Sequence, residues 1–313
     1  MHCRGDTLWS PKGRDGTESV PYREAKLTLC GYIFEATPDL IGRLQCTSYL
    51  LTVRLGREMK LAITGKGGVG KTTLAAGLAL SFAQDGKKVI AIDADPDSNL
   101  AATLGFPEPE KIIPLVEMKE LIEERTGVKP GTVGGYFKLN PRVDDIPDRF
   151  SREHQSIKIL LMGRVKKGGS GCFCPENAFL KAVLSYLFFS QEDVVILDME
   201  AGIEHLGRGT AEGVDSLIVV VEPSMRSIET AFRIKSLAKD LKMERVFLVG
   251  NKVRGDVDID FIRKNISGFE ILGFIWYNKK LTDKVTNSII EEIKEIKEGL
   301  IRRQDEKGRQ VNR

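Results

Sequence analysis

The sequence contains no run of about 18 apolar residues, the length a helix needs to cross a bilayer, so no membrane span is expected. It also lacks a dominant charge. Its 47 Lys and Arg face 44 Asp and Glu, a formal net charge of +3. That near balance provides no broad electrostatic footprint for a polyanion, so no nucleic-acid partner is expected. No internal repeat is evident. The opening Met1–Tyr22 is polar and rich in Gly, Arg and Asp, so it is not expected to act as a secretory signal. The expected compartment is therefore a reducing cytoplasm, where cysteines serve as ligands or free thiols rather than disulfides. Cysteine is scarce, at five residues in 313, and three of them (Cys3, Cys30 and Cys46) precede Met59. What remains is an ordinary globular composition, 42% hydrophobic and 29% charged, with length for one large domain or two modest ones.

The chain changes character at Met59. Residues 1–58 have weak periodicity and scattered Gly and Pro, and are expected to be a disordered extension or a mis-assigned start. Peptides from this stretch in the native protein would overturn the second of these. From 59 to 313 apolar runs alternate with amphipathic ones. Strands are expected at 60–64, 88–92, 157–162, 193–198, 216–222, 245–250 and 270–276. Helices are expected at 72–85, 117–125, 176–189, 226–241 and 283–303. Continuous runs such as Leu217-Ile218-Val219-Val220-Val221 suit strands buried on both faces. The expected class is α/β, a mostly parallel central sheet with helices on both faces.

Gly65-Lys66-Gly67-Gly68-Val69-Gly70-Lys71-Thr72-Thr73 fits G-x-x-x-x-G-K-[ST] between an expected strand and an expected helix, so the sheet is expected to be of the P-loop NTPase kind. The glycines let backbone N–H groups close on ATP phosphates, Lys71 adds a compact positive charge, and the Thr72 hydroxyl suits Mg²⁺. Asp93-Ala94-Asp95-Pro96-Asp97 follows the second strand, and Asp198 ends the strand Val194–Leu197. An acid at the end of a buried strand opposite a phosphate loop suits a Mg²⁺ anchor. Gly202 gives the following loop the freedom a nucleotide switch needs. Asn251 follows the strand 245–250, and its amide offers a donor and an acceptor to a base edge; it could also simply close that strand in a turn.

Cys172 and Cys174 are the two cysteines of 59–313, in Gly171-Cys172-Phe173-Cys174-Pro175 just before an expected helix. Two thiolates one residue apart can share a soft metal ion such as Ni²⁺ or Zn²⁺ but cannot complete a four-coordinate site. A second copy of the chain would complete it, so a homodimer is expected. A loop cysteine pair can also be incidental; here its position before a helix N-terminus favours the thiolate. His205, near the switch, admits either a switch role or ordinary hydrogen bonding, and His154 is expected to be solvated.

The second lysine of the loop, Lys66, resembles the signature of deviant Walker A ATPases, a group with the nitrogenase iron protein, the MinD/ParA partitioning ATPases and metal-delivery ATPases. That resemblance implies that Lys66 reaches a partner's nucleotide, that Asp95 orients the attacking water with Asp93 supporting the Mg²⁺ shell, and that Asn251 reads adenine. Together with Cys172–Asn177 and Asp198–Thr210, these motifs make residues 59–313 similar to the CooC family of nickel-insertion ATPases. The family implies a homodimer that binds ATP between subunits, holds Ni²⁺ or Zn²⁺ on Cys172 and Cys174, and serves apo carbon monoxide dehydrogenase as its client. Two rival readings share parts of this pattern. One is a MinD/ParA-type switch for membrane or DNA localisation, the other an iron–sulfur scaffold using the same thiolates.

Overall fold

The structure, a computed structural model, describes residues 26–29, 32–35, 59–131, 136–163, 174–190, 194–203, 206–277 and 287–311. Cys172, His205 and most of residues 1–58 lie outside the described residues. Contacts divide the chain into two units, Met1–Arg57 and Glu58–Arg313. In the first, β1 (Lys26–Leu29) and β2 (Tyr32–Glu35) pair antiparallel.

The second unit holds an eight-stranded sheet. Its members are β3 (Lys60–Gly65), β4 (Val89–Ala94), β5 (Arg152–His154), β6 (Ile157–Leu161), β7 (Val194–Met199), β8 (Ser216–Val221), β9 (Val246–Val253) and β10 (Glu270–Trp276). They lie in the order β10-β9-β8-β3-β7-β4-β6-β5. Every pairing is parallel except that of the short edge strand β5 with β6. Between and after the strands run α1 (Lys71–Gln84), α2 (Leu100–Leu104), α3 (Lys119–Thr126), α4 (Ile146–Arg149), α5 (Pro175–Ser190), α6 (Arg208–Ala211), α7 (Met225–Asp240), α8 (Asp256–Asn265) and α9 (Asn287–Val311). The α/β reading of the sequence is thus met, and all seven expected strands are present.

The four central strands are buried at every position. Side chains alternate between faces with period two. Leu61, Ile63, Ala91, Ile196, Ile218 and Val249 face a layer built from α1 and α9. Ala62, Ile92, Leu197, Val219 and Leu248 face the opposite layer of α5, α7 and α8. Each such Leu, Ile or Val contributes roughly 1.5–3 kcal/mol by leaving water. That gain sets the register, because a one-residue slip would carry a strand's whole set to the other face.

Three differences from the sequence reading have physical causes. The strand expected at 245–250 runs to Val253, since β10 keeps pairing with it up to Trp276. Asn251 and Lys252 therefore belong to the strand rather than follow it. The final helix continues to Val311, past the apolar stripe that was expected to end it near 303. His154 packs against the Phe106 ring, centroids 5.4 Å apart, instead of standing in solvent. The stripe of α9 matters for function: Ile290, Ile293, Ile296 and Leu300 are buried. Ile293 sits so close to α1 that a Cβ on Gly77 would lie 2.0 Å from it. The buried Lys297 ammonium ties the same helix to the end of α1, donating to the Ser81 carbonyl (3.1 Å) and pairing with Asp85 (2.8 Å). This stretch of the apolar face of α9 is thus covered by the protein. No helix among the described residues is long and apolar enough to cross a membrane.

Candidate functional site

Five loops or strand ends meet at the carboxyl edge of the sheet, where open α/β sheets hold their ligands. They follow β3, β4, β7 and β8 or, for Asn251, lie inside the end of β9. The loop after β3 is shaped by two glycines that tolerate no side chain. Gly65 has φ 150°, and a Cβ there would stand 2.3 Å from the Val220 carbonyl oxygen of β8. Gly70 has φ 97°, and its Cβ would stand 2.1 Å from the Asn251 amide nitrogen. Gly67 and Gly68, by contrast, border open space. α1 begins at Lys71 with no side chain capping its first turn and no acid in that turn. An anion cradled by the loop would meet those N–H groups and the positive end of the helix.

Gly70→Ala is expected to lower both the melting temperature and ATP affinity, the latter at least tenfold. The left-handed φ alone costs about 1–3 kcal/mol, and the Asn251 contact must also yield. Thermal melting and a fluorescent-nucleotide titration check this; wild-type values in both would contradict it.

The acids behave differently from one another. Pairing of β4 with β7 sets Asp93 directly beside Asp198. Asp93 is fully occupied: its two oxygens accept the backbone N–H of Asp95 (3.0 Å) and of Leu100 (2.9 Å), holding the loop between them. Burial pushes its carboxyl up to about 6, against the pull of those bonds. Asp198 is fully buried, and neither of its oxygens has a hydrogen bond of ordinary geometry, although the Thr72 hydroxyl is close enough to act on the carboxyl. Burial drives its carboxyl up to about 7; the Thr72 hydroxyl and Lys71 oppose that rise, while Asp93 and Asp95 add to it. An orphaned, buried carboxylate beside a threonine hydroxyl is a donor set that a hard cation such as Mg²⁺ fits. Asp95 sits half-buried with one oxygen 4.0 Å from the buried Lys71 ammonium. Its other oxygen accepts the Asp97 N–H (3.1 Å).

The segment after β7, expected from the sequence to act as a switch, is tied to the end of β3 by a residue that sequence reasoning missed. The buried Thr64 hydroxyl lies 2.7 Å from the Gly202 carbonyl and 3.1 Å from that of Glu200, and accepts the Gly202 N–H at 3.2 Å. Its signal in the sequence was a hydroxyl ending an otherwise apolar strand, one residue before the loop.

On the other flank, the Asn251 amide donates to the Val69 carbonyl (2.8 Å), and its oxygen accepts the Lys252 N–H. Lys252, in the left-handed region at φ 60°, donates to the Gly68 carbonyl (2.6 Å). Both residues thus clamp the phosphate loop from β9. Glu222, just past β8, was also overlooked; it receives Lys66 at 3.3 Å.

Cys174 stands immediately before α5, carries a thiol and is half-buried. It lines a cavity of about 500 Å³ together with Asn177, Lys181, Gly207, Gly209 and Thr210. Gly207 to Thr210 belong to the stretch that continues from the switch into α6, and the Thr210 hydroxyl lies 3.4 Å from that of Ser185 on α5. Gly207, Gly209 and Thr210, a few residues along the chain from Gly202, therefore share a wall with the cysteine. Among the described residues no cluster of three or more His, Cys, Asp or Glu could hold a metal by itself.

Residues 60–289 match the CobQ/CobB/MinD/ParA nucleotide binding domain family. Over 225 residues the chain is 46% identical to the carbon monoxide dehydrogenase accessory protein CooC of Rhodospirillum rubrum, covering 71% of this chain and 85% of that protein. The chain belongs to this family, in its CooC-type branch. An uncharacterized ATP-binding protein of Methanocaldococcus jannaschii is likewise 46% identical, over 71% of this chain and 87% of its own length. MinD from the MinC:MinD cell division complex of Aquifex aeolicus shares the fold at a TM-score of 0.54 and 24% identity, covering 79% of this chain and 95% of that one. A plasmid partition protein of Borrelia burgdorferi, solved with AMPPNP, gives 0.55 at 16% identity, covering 79% and 99%. Nucleotide binding is the property that the family's description carries, and its match takes in the glycine loop, Asp198 and the Thr64-held segment at Gly202.

Proposed function

We propose that the chain is an ATP-hydrolysing metal carrier that works as a homodimer and serves the maturation of carbon monoxide dehydrogenase, with Ni²⁺ or Zn²⁺ as cargo. The working unit is residues 59–313. The observation that supports this reading is the cavity wall that Cys174 shares with Gly207, Gly209 and Thr210, a few residues along the chain from Gly202, which offers nucleotide state a route to a thiol. The CooC-type sequence supports the client.

In this reading Gly65–Thr73 wraps the triphosphate, with Lys71 on its β- and γ-oxygens. Asn251 keeps its hold on the loop and offers its second amide hydrogen to the adenine. Thr72 and Asp198, supported by Asp93, would hold Mg²⁺, which when bound would supply positive charge to the phosphates. Asp95 orients a water, which attacks the γ-phosphorus. The bond to the bridging oxygen breaks, ADP leaves, and the water's proton ends on phosphate. Lys66 of each subunit reaches the nucleotide of the other, supplying charge where the transition state develops it. The γ-phosphate competes with Thr64 for the backbone of Gly202. Releasing that segment moves the 207–210 wall beside Cys174. Cys172 and Cys174 from two copies give four thiolates to one soft ion.

Metal analysis of the purified protein tests the reading. Wild type is expected to hold one Ni²⁺ or Zn²⁺ per two chains. Cys172→Ala and Cys174→Ala should each remove the metal yet bind ATP within about threefold of wild type, below the tenfold step of 1.4 kcal/mol. Retained metal in both variants would contradict it. An iron–sulfur absorbance band would favour the scaffold reading instead.

A further inference from the structure

Gly65 of β3 is in register with Val220 of β8, so the chain leaves both strands side by side. The residue after Gly65 is Lys66, and two past Val220 stands Glu222. One Glu222 oxygen accepts from the Lys66 ammonium at 3.3 Å and from the Ser224 hydroxyl at 3.3 Å; the other lies 3.7 Å from the Lys252 ammonium. The carboxylate is held in place from below. Its own N–H donates to the Ser227 hydroxyl (3.1 Å), and Ser224 caps the start of α7.

We propose that Glu222 is the resting acceptor of Lys66: it holds the signature lysine against its own chain until a partner's nucleotide draws it away. The proposal rests on the reading above, in which Lys66 acts across the dimer. Two features make Glu222 suited to a reversible hold rather than a permanent one. The pair is partly exposed, 34% for the Lys66 side chain and 24% for Glu222, and pairs of that exposure shift an equilibrium by about two- to fivefold. A triphosphate with several negative charges outcompetes a single screened carboxylate. Lys252, moreover, stays on Glu222 and on the Gly68 carbonyl when Lys66 leaves, so no carboxylate is stranded without a cation.

The test compares wild type, Glu222→Gln, Lys66→Ala and the double variant, each confirmed folded by thermal melting. In nucleotide-free protein, Lys66 of E222Q is expected to react faster with an amine-selective acylating reagent, read by peptide mass spectrometry. With a non-hydrolysable ATP analogue and Mg²⁺, E222Q should dimerise at two- to fivefold lower protein concentration. Its hydrolysis rate below the dimerisation midpoint should rise by the same factor, with no gain in the double variant over K66A. Unchanged labelling and dimerisation in E222Q, or a lowered rate, overturns the resting role. K66A that dimerises and hydrolyses like wild type would sink the trans role of Lys66 instead, and the labelling result then judges the Lys66–Glu222 contact by itself.

Discussion

Replacing Lys71 with alanine is expected to lower the ATP hydrolysis rate by about 10²–10³-fold, as removal of a preorganised charge from a water-poor site does. Lys71 is only 5% exposed and opens α1, so its ammonium cannot drift to solvent. It faces Asp95 at 4.0 Å and pulls down the carboxyl of Asp198. One cation therefore balances the acids before ATP arrives and meets the phosphates after. Arginine should not rescue: its planar, bulkier head does not fit a slot shaped for a point charge. Phosphate release at saturating ATP and Mg²⁺ measures the effect, with circular dichroism as the folding check. A rate within tenfold of wild type in a folded K71A would remove Lys71 from the chemistry.

Asp198→Asn is expected to act in opposite directions on stability and on activity. The Asp198 carboxyl, at 3.8 in an unfolded chain, is pushed up to about 7 in the folded one. Between those values the unfolded chain gives up the proton first, so folding binds the proton and stability falls as pH rises from about 4 to 7. Above 7 the penalty is fully present. A tenfold change in proton affinity is worth about 1.36 kcal/mol, and the sharing of this proton's energetics with Asp93 and Lys71 leaves a gain on the order of 2 kcal/mol for an uncharged replacement. Nucleotide-free D198N in a metal chelator should therefore melt above wild type at pH 8, with the difference closing toward pH 5. Hydrolysis should meanwhile fall about 10²-fold or more, because the amide removes the negative charge and one of the two oxygens available to Mg²⁺. A variant no more stable than wild type at pH 8 would show that the buried charge carries no penalty. Near-normal hydrolysis would show that the cation does not depend on Asp198.

The fold was legible because its signals are local and redundant. Apolar runs such as Val194–Leu197 and 216–221 are too short for helices and too continuous for half-exposed strands. The helix over 256–265 and the antiparallel edge of Arg152–His154 were not read, for opposite reasons. Asp256 to Asn265 is polar enough to pass for a loop until β9 supplies a surface for Ile262, and a three-residue edge strand has almost no pattern of its own. At the site, the glycine loop could be picked out from its spacing, and Asp93, Asp198 and Gly202 from their places at or just past the ends of buried strands. What spacing could not reveal was partnership across long sequence separations. Thr64 with Gly202, Lys66 with Glu222, and Asn251 with Val69 stand 138, 156 and 182 residues apart, and only the sheet order brings them together. The division of labour between Asp93 and Asp198 was equally hidden. Both end buried strands, but only one is consumed by backbone N–H groups.

The most direct measurement of the central idea, that a single chain carries half of each site, is native mass spectrometry of the purified protein with Ni²⁺ or Zn²⁺, Mg²⁺ and a non-hydrolysable ATP analogue. A mass of two chains carrying two nucleotides and one soft metal ion is the predicted result. A single chain loaded with both nucleotide and metal would contradict it.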